Sequence, residues 1–242
     1  MLVSYATEAT PGLENEDLVV AGTNWAVVLD GATARPGVDC GCTHGPRWLV
    51  QRLGGELAGR LASESGALAD LLAESIKAVR EMHPECDLGN RDSPSTTVAM
   101  LRWERDVEWL VLADSPVLLD TGSEVRVIRD DRVDRLPSYT TEAVRAARNS
   151  SDGFWVASTR PEAAYEALTG EATGITRAAL LSDGAARLVE RFGLMEWNAL
   201  LDLLDREGAE AVIRRTRAAE AEAPELPRGK RYDDATAVLV HF

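Results

Sequence analysis

Acidic residues recur in this chain where apolar, strand-like runs meet turns. Asn15-Glu16-Asp17 precedes Leu18-Val19-Val20, and Asp30-Gly31 ends the run Trp25-Ala26-Val27-Val28-Leu29. Asp114 follows Trp109-Leu110-Val111-Leu112-Ala113, and Asp183-Gly184 follows Ala178-Ala179-Leu180-Leu181-Ser182. Asp233-Asp234 comes just before Ala235-Thr236-Ala237-Val238-Leu239-Val240, and Ser93-Pro94-Ser95-Thr96-Thr97 opens a further strand. Carboxylates are disfavoured within strands and costly to bury unpaired. Several of them at the ends of apolar strands imply one shared cation site, and oxygen-only ligands select hard ions such as Mg²⁺ or Mn²⁺.

The order and spacing of these segments resemble the PPM-type (type 2C) metal-dependent Ser/Thr protein phosphatases. That family carries an early N-E-D, an apolar strand ending in D-G, an S-G-S/T-T-A strand, a G-D-S-R strand, a T-S-D-G turn and a terminal D-N/D-x-T strand. The counterparts here are Asn15-Glu16-Asp17, Asp30-Gly31-Ala32, Ser93 to Thr97, Ala113-Asp114-Ser115-Pro116, Leu181-Ser182-Asp183-Gly184 and Asp233-Asp234-Ala235-Thr236. Asp-Gly alone is an ordinary turn former; the ordered set of six is specific.

The resemblance implies hydrolysis of phosphoserine or phosphothreonine through water activated by two Mg²⁺ or Mn²⁺ ions. Asp30 would bridge both ions, the carbonyl of Gly31 would ligate the second, and Asp183 and Asp233 would hold the first. Glu16 and Asp17 would stand behind them or bind through water, and Asp114 would help hold a third, weaker ion. His44, just before the first long helix, is the candidate general acid to the leaving group; the alternative is a partly exposed histidine at a helix start. Two departures stand out. Gly12 occupies the position, three residues before Asn15, where many members carry a phosphate-gripping arginine, with Arg35, Arg47 and Arg91 as substitutes. Asp30-Gly31-Ala32-Thr33-Ala34 lacks the further glycines and the histidine usual there. These departures keep two alternatives in view: a pseudophosphatase that binds a partner, and a hydrolase of small-molecule phosphates.

Cys40-Gly41-Cys42-Thr43-His44 places three potential soft-metal ligands within five residues. The nearest further candidates, His83 and Cys86, have no compelling spacing, so buried or loop thiols are the preferred reading over zinc. Three cysteines make an odd count and no disulfide framework.

The elements that must position these residues follow from periodicity. Two short strands occupy 18–30, joined at Gly22-Thr23-Asn24. Helices are expected over 46–63, opened by Pro46, and over 67–82, stopped by Pro84. Closely spaced β-type runs over 95–129 make an antiparallel meander. The more polar segment 138–174 reads as a helix near 140–148, a loop with Gly153-Phe154-Trp155 and a short helix near 161–168. By resemblance it is a flap beside the active site. A strand at 177–182, helices near 184–191, 196–204 and 207–221, a loop over 224–229 and a strand at 235–241 complete the chain. Glu220-Ala221-Glu222 reads as a solvated helix end. The tryptophans read mostly as core, Trp155 being either a core anchor or a substrate contact.

Strands with helices early and late give an α+β class. The resemblance sharpens this to a central antiparallel β-sandwich flanked by antiparallel helix pairs, in one domain over 1–242. The net charge of -14 argues against nucleic acid and anionic membrane surfaces. No apolar run approaches the roughly 20 residues of a membrane span, and the N-terminus lacks a signal-peptide pattern. The expectation is a cytoplasmic monomer acting on a phosphoprotein or a phosphorylated small molecule.

Overall fold

The computed structural model describes residues 1–32, 37–223 and 230–242. Among these, ten strands form two five-stranded antiparallel sheets. One sheet has the order β2 (Asp17–Ala21), β3 (Trp25–Gly31), β4 (Thr96–Trp103), β5 (Val107–Leu112) and β8 (Leu168–Ala172). The other has the order β1 (Leu2–Glu8), β10 (Ala235–His241), β9 (Arg177–Leu181), β6 (Val117–Asp120) and β7 (Val125–Ile128). Helices α1 (Pro46–Ser63) and α2 (Leu68–Glu81) follow β3. The short α3 (Thr141–Ala147) follows β7, and α4 (Asp183–Glu190), α5 (Trp197–Glu207) and α6 (Ala209–Glu222) lie between β9 and β10.

Side-chain alternation along the strands sorts the apolar residues into three layers. Val27, Leu29, Val98 and Met100 pack with Leu53, Leu57, Leu72 and Ile76 of α1 and α2. Their neighbours Ala26, Val28, Ala99 and Leu101 face Leu119, Leu180, Val238 and Val240 between the sheets. Ala179, Leu181, Ala237 and Leu239 pack outward on Leu188, Leu200, Leu204 and Val212 of α4, α5 and α6. Both sheets are thus covered on both faces. This explains why their central strands read as continuous apolar runs rather than as alternating ones. The result is the expected β-sandwich between helix pairs.

Two strands went unread in the sequence. β1 exposes Leu2 and Tyr5, and β8 is a polar edge strand over Leu168–Ala172, directly after the helix expected near 161–168. Edge strands bury too little to show a clear period. The loop expected over 224–229 lies outside the described residues. Glu220 corrects another expectation: it is buried, with Arg187 Nη1 at 2.8 Å and Arg217 Nη1 at 2.7 Å. Trp155 is buried in the layer beneath α1 and α2, as a core anchor, with the Arg160 guanidinium over its ring. No helix among the described residues is long and apolar enough to cross a membrane.

Candidate metal centre

Antiparallel pairing brings the acidic segments to one end of the sandwich. Asp17, opening β2, stands opposite Asp30, closing β3. β5 runs in the direction of β3, because each is antiparallel to β4, so Asp114 emerges at the same end. In the other sheet β9 ends and β10 begins side by side, which places Asp183 near Asp233. The site is therefore built from both sheets.

Short hydrogen bonds fix it. Asp183, the first residue of α4, donates its backbone N–H to Asp30 Oδ2 at 3.1 Å, so the positive end of α4 faces that carboxylate. Thr236 Oγ1 donates to Asp17 Oδ2 at 2.7 Å. Among the described residues the other Asp17 oxygen, Oδ1, is buried without a hydrogen-bond partner. Gly31 donates its N–H to the Glu16 carbonyl at 3.1 Å, and a Cβ at Gly31 would lie 2.6 Å from that oxygen. Thr96 Oγ1 holds the Asp30 carbonyl at 2.9 Å, and Thr97 bonds Ser115 across 2.6 Å beside Asp114. The Ser93–Thr97 segment thus braces the two turns it was grouped with.

Asp234 positions rather than faces the centre. Its carboxylate accepts from the backbone N–H groups of Thr10 and Glu16, each at 2.6 Å. Its carbonyl oxygen would lie 1.8 Å from a Cβ at Gly184, so only glycine lets α4 start this close to the last strand. Gly184→Ala is expected to destabilise the protein by about 2–3 kcal/mol through this overlap with backbone. Urea denaturation checks this, and an unchanged midpoint would refute the close approach.

Ala113, just before Asp114, has φ 68° and is buried. A non-glycine residue in the left-handed region is strained, and such strain gathers at functional turns. The family pattern G-D-S-R has glycine there, and this chain keeps the backbone shape with alanine.

The electrostatics are those of crowded carboxylates. Burial first, then Asp17, Asp183, Asp233 and Asp114, raise Asp30 well above the usual carboxylate range. Burial and then Asp233 push Asp183 up to about 8, with Arg187 opposing. Burial raises Asp17 to about 7 against the hydrogen bond from Thr236. Burial also raises Asp114. A buried, all-oxygen set that repels itself, with Asp17 Oδ1 unpaired, suits hard divalent cations. These carboxylates do not draw their oxygens together within 4.8 Å as a group of three. A centre spread over two ions about 3.5–4 Å apart does not require that.

Arg187 was missed in the sequence. On α4 it lies one turn beyond Asp183, donates to Asp233 Oδ2 at 2.6 Å and is buried beside Glu220. The i, i+4 spacing of Asp183 and Arg187 was the available signal. Lys230 Nζ reaches Asp233 Oδ1 at 3.1 Å, so Asp233 has cationic partners on both oxygens.

Of the remaining candidates, Glu16 adjoins the centre through its backbone, and the others lie elsewhere. Glu16 lines an open pocket of about 440 Å³ with Arg47 and Trp48, and Arg47 is paired with Glu14. Arg91 lines a separate pocket with Arg80, Arg148 and Arg160, and Arg35 lies outside the described residues. His44 stacks on Trp48 with ring centroids 4.1 Å apart. Its Nδ1 faces Cys42 Sγ at 3.5 Å and Cys86 Sγ at 3.7 Å.

Comparison with known proteins agrees with this architecture. The family model described as protein phosphatase 2C matches residues 10–223, so the chain belongs to the PPM (type 2C) Ser/Thr phosphatase family, whose members depend on metal ions. Among solved structures it is similar to the serine/threonine phosphatase Stp1 from Staphylococcus aureus, with TM-score 0.66 and 15% identity over 99% of this chain and 94% of that one. It is also similar to the Mycobacterium tuberculosis serine/threonine phosphatase PstP/Ppp, with TM-score 0.59 and 20% identity over 99% and 98%. The catalytic domain of PstP in complex with two manganese ions matches with TM-score 0.58 and 21% identity over 98% and 96%. No curated protein matches the chain.

Proposed function

We propose that this chain is a phosphoprotein phosphatase that hydrolyses phosphoserine or phosphothreonine at a dinuclear Mg²⁺ or Mn²⁺ centre. The observation that carries this reading is the convergence of Asp17 and Asp30 from one sheet with Asp183 and Asp233 from the other. Two bound divalent ions would supply a water of lowered pKa and neutralise phosphoryl oxygens in an in-line displacement. In this reading Asp30, the Gly31 carbonyl, Asp183 and Asp233 hold the ions. Glu16 and Asp17 support them, and Asp114 serves a third. Thr236 and the α4 N-terminus fix the orientation of Asp17 and Asp30. Arg187 fixes Asp233. Residues 1–242 act as one cytoplasmic, monomeric phosphatase domain, with 138–174 as its flap.

Hydrolysis of an aryl phosphate with added Mn²⁺, compared with the same protein in Mg²⁺- and Mn²⁺-free buffer, tests the activity. No Mn²⁺-dependent turnover would favour the pseudophosphatase reading, which Gly12 motivates. Preference for metabolites over phosphopeptides would favour a small-molecule hydrolase.

Gly12 lies in a turn closed by Leu13 N–H to the Thr10 carbonyl at 3.0 Å, with φ +80° and open space where a side chain would project. Gly12→Arg should fold at a cost of about 1–2 kcal/mol for the left-handed backbone. It should lower KM for the aryl phosphate with little change in kcat, as a bidentate grip felt equally in ground and transition states requires. An unchanged KM in the folded variant would mean that another group holds the phosphate.

A further inference from the structure

We propose that Cys42, His44, His83 and Cys86 form a tetrahedral structural zinc site that clamps the start of α1 to the end of α2. These are the described side chains whose potential ligand atoms all lie within 4.8 Å of one another. The contacts from Cys42 Sγ to His44 Nδ1, Cys42 Sγ to His83 Nδ1 and Cys86 Sγ to His44 Nδ1 are 3.5, 3.6 and 3.7 Å. With Zn–S about 2.3 Å and Zn–N about 2.0–2.1 Å, the S···N edge of a tetrahedron is about 3.6 Å. The donors therefore stand at coordination spacing.

The fold explains why the sequence hid this site. The ligands come in two chelating pairs, Cys42-Thr43-His44 before α1 and His83-Pro84-Glu85-Cys86 after α2. The two helices pack as an antiparallel pair, so the entry to one lies beside the exit of the other. The 38 residues between the pairs are mostly this helical hairpin, a far longer spacer than a zinc-finger pattern has.

The surroundings are built around the donors. His44 directs its backbone N–H to Cys42 Sγ at 3.4 Å. Trp48 covers both imidazoles, with ring centroids 4.1 Å from His44 and 4.9 Å from His83, and His83 is buried. The loops are also tied together: Asp87 N–H reaches the Gly41 carbonyl at 2.8 Å, and Cys86 N–H closes a turn on the His83 carbonyl. Cys40, whose thiol points to the Cys42 carbonyl at 3.1 Å, stands outside the set.

The donor chemistry selects the metal. Two sulfurs and two imidazoles suit Zn²⁺, whereas Mg²⁺ and Mn²⁺ go to carboxylate sets. Four protein ligands leave no open position, so the role is structural. Under this assignment His44 is a ligand and is not available as a general acid. The clamp sits at the start of α1, the helix packed on the strand that carries Asp30.

Elemental analysis of protein purified without chelator should find about one zinc per chain, tightly held because four ligands are preassembled. Replacing zinc by Co²⁺ should give the visible bands of tetrahedral cobalt and a near-ultraviolet thiolate-to-metal charge-transfer band. Cys86→Ser and Cys42→Ser should lose the zinc and weaken that band, and Cys40→Ser should keep both. The cobalt spectrum of the wild type needs no variant to fold. Its charge-transfer band cannot arise from carboxylates, so the result is independent of the Mn²⁺ response of the phosphatase centre. Zinc-free protein with no thiolate band on Co²⁺ titration would overturn the site, as would a Cys42–Cys86 disulfide in freshly purified, zinc-free protein.

Discussion

Asp30→Asn is expected to lower Mn²⁺-dependent turnover of an aryl phosphate by about 10³-fold, roughly 4 kcal/mol in the barrier, while making the metal-free protein more stable. The two effects have one origin. In the metal-free fold the Asp30 carboxyl is driven well above its usual range by burial and by Asp17, Asp183, Asp233 and Asp114. Asparagine has nearly the same shape, carries no charge and keeps an oxygen for the Asp183 N–H, now 3.1 Å from Oδ2. It removes the cost of burying a charge among like charges, so the metal-free melting temperature should rise. In the proposed centre the same change would remove a ligand to both ions, so the rise in melting temperature on adding Mn²⁺ should shrink or vanish. Thermal melts with and without Mn²⁺, beside the turnover assay, check both signs. An Asp30→Asn protein with wild-type turnover would remove Asp30 from the centre. A metal-free variant less stable than wild type would mean that the carboxylate is held by partners beyond those described here.

Much of this candidate centre was legible in the sequence because its proposed ligands sit at strand ends, where a carboxylate interrupts an apolar run. Asp30, Asp114 and Asp183 each stand out against the strand before them. Asp17 and Asp233 stand out against the strand after them. What the sequence could not display was pairing between distant side chains. Beyond its spacing from Asp183, nothing in the sequence marks Arg187 apart from other arginines, and Glu220 reads as part of a solvated helix end, but the packing of α4 on α6 buries both. The Cys/His group was hidden for a related reason: each half is a weak motif, and only the α1–α2 hairpin makes them neighbours. β1 and β8 escaped because an edge strand exposes much of its surface and carries little hydrophobic period.

The crowded carboxylates also set how stability depends on pH. Asp17 titrates near 7 and Asp183 near 8 in the metal-free fold, both raised chiefly by burial. In the unfolded chain both return to about 3.8. Between about pH 4 and 8 the folded state therefore holds protons that the unfolded state has released, and stability falls as pH rises through that window. The stabilisation is complete below the unfolded value and is lost once pH passes the folded one. For Asp17 alone a rise of about three units corresponds to a free energy on the order of 4 kcal/mol. Asp120 runs the other way: burial pushes it up, but Arg177 and the Gly122 N–H hold it below its ordinary value, so its contribution changes only at more acid pH. In the proposed centre divalent ions would take the place of the protons. Their binding should release protons and strengthen as pH rises from 6 to 8. The metal-free melting temperature should then decline from pH 5 to pH 8, and the increase produced by Mn²⁺ should be largest at the alkaline end. Melts across this range, on protein gel-filtered into Mg²⁺- and Mn²⁺-free buffer and then supplemented with Mn²⁺, decide it. A flat metal-free profile would show that Asp17 and Asp183 are ionised throughout, and a Mn²⁺ effect greatest at pH 5 would place the ions away from these carboxylates.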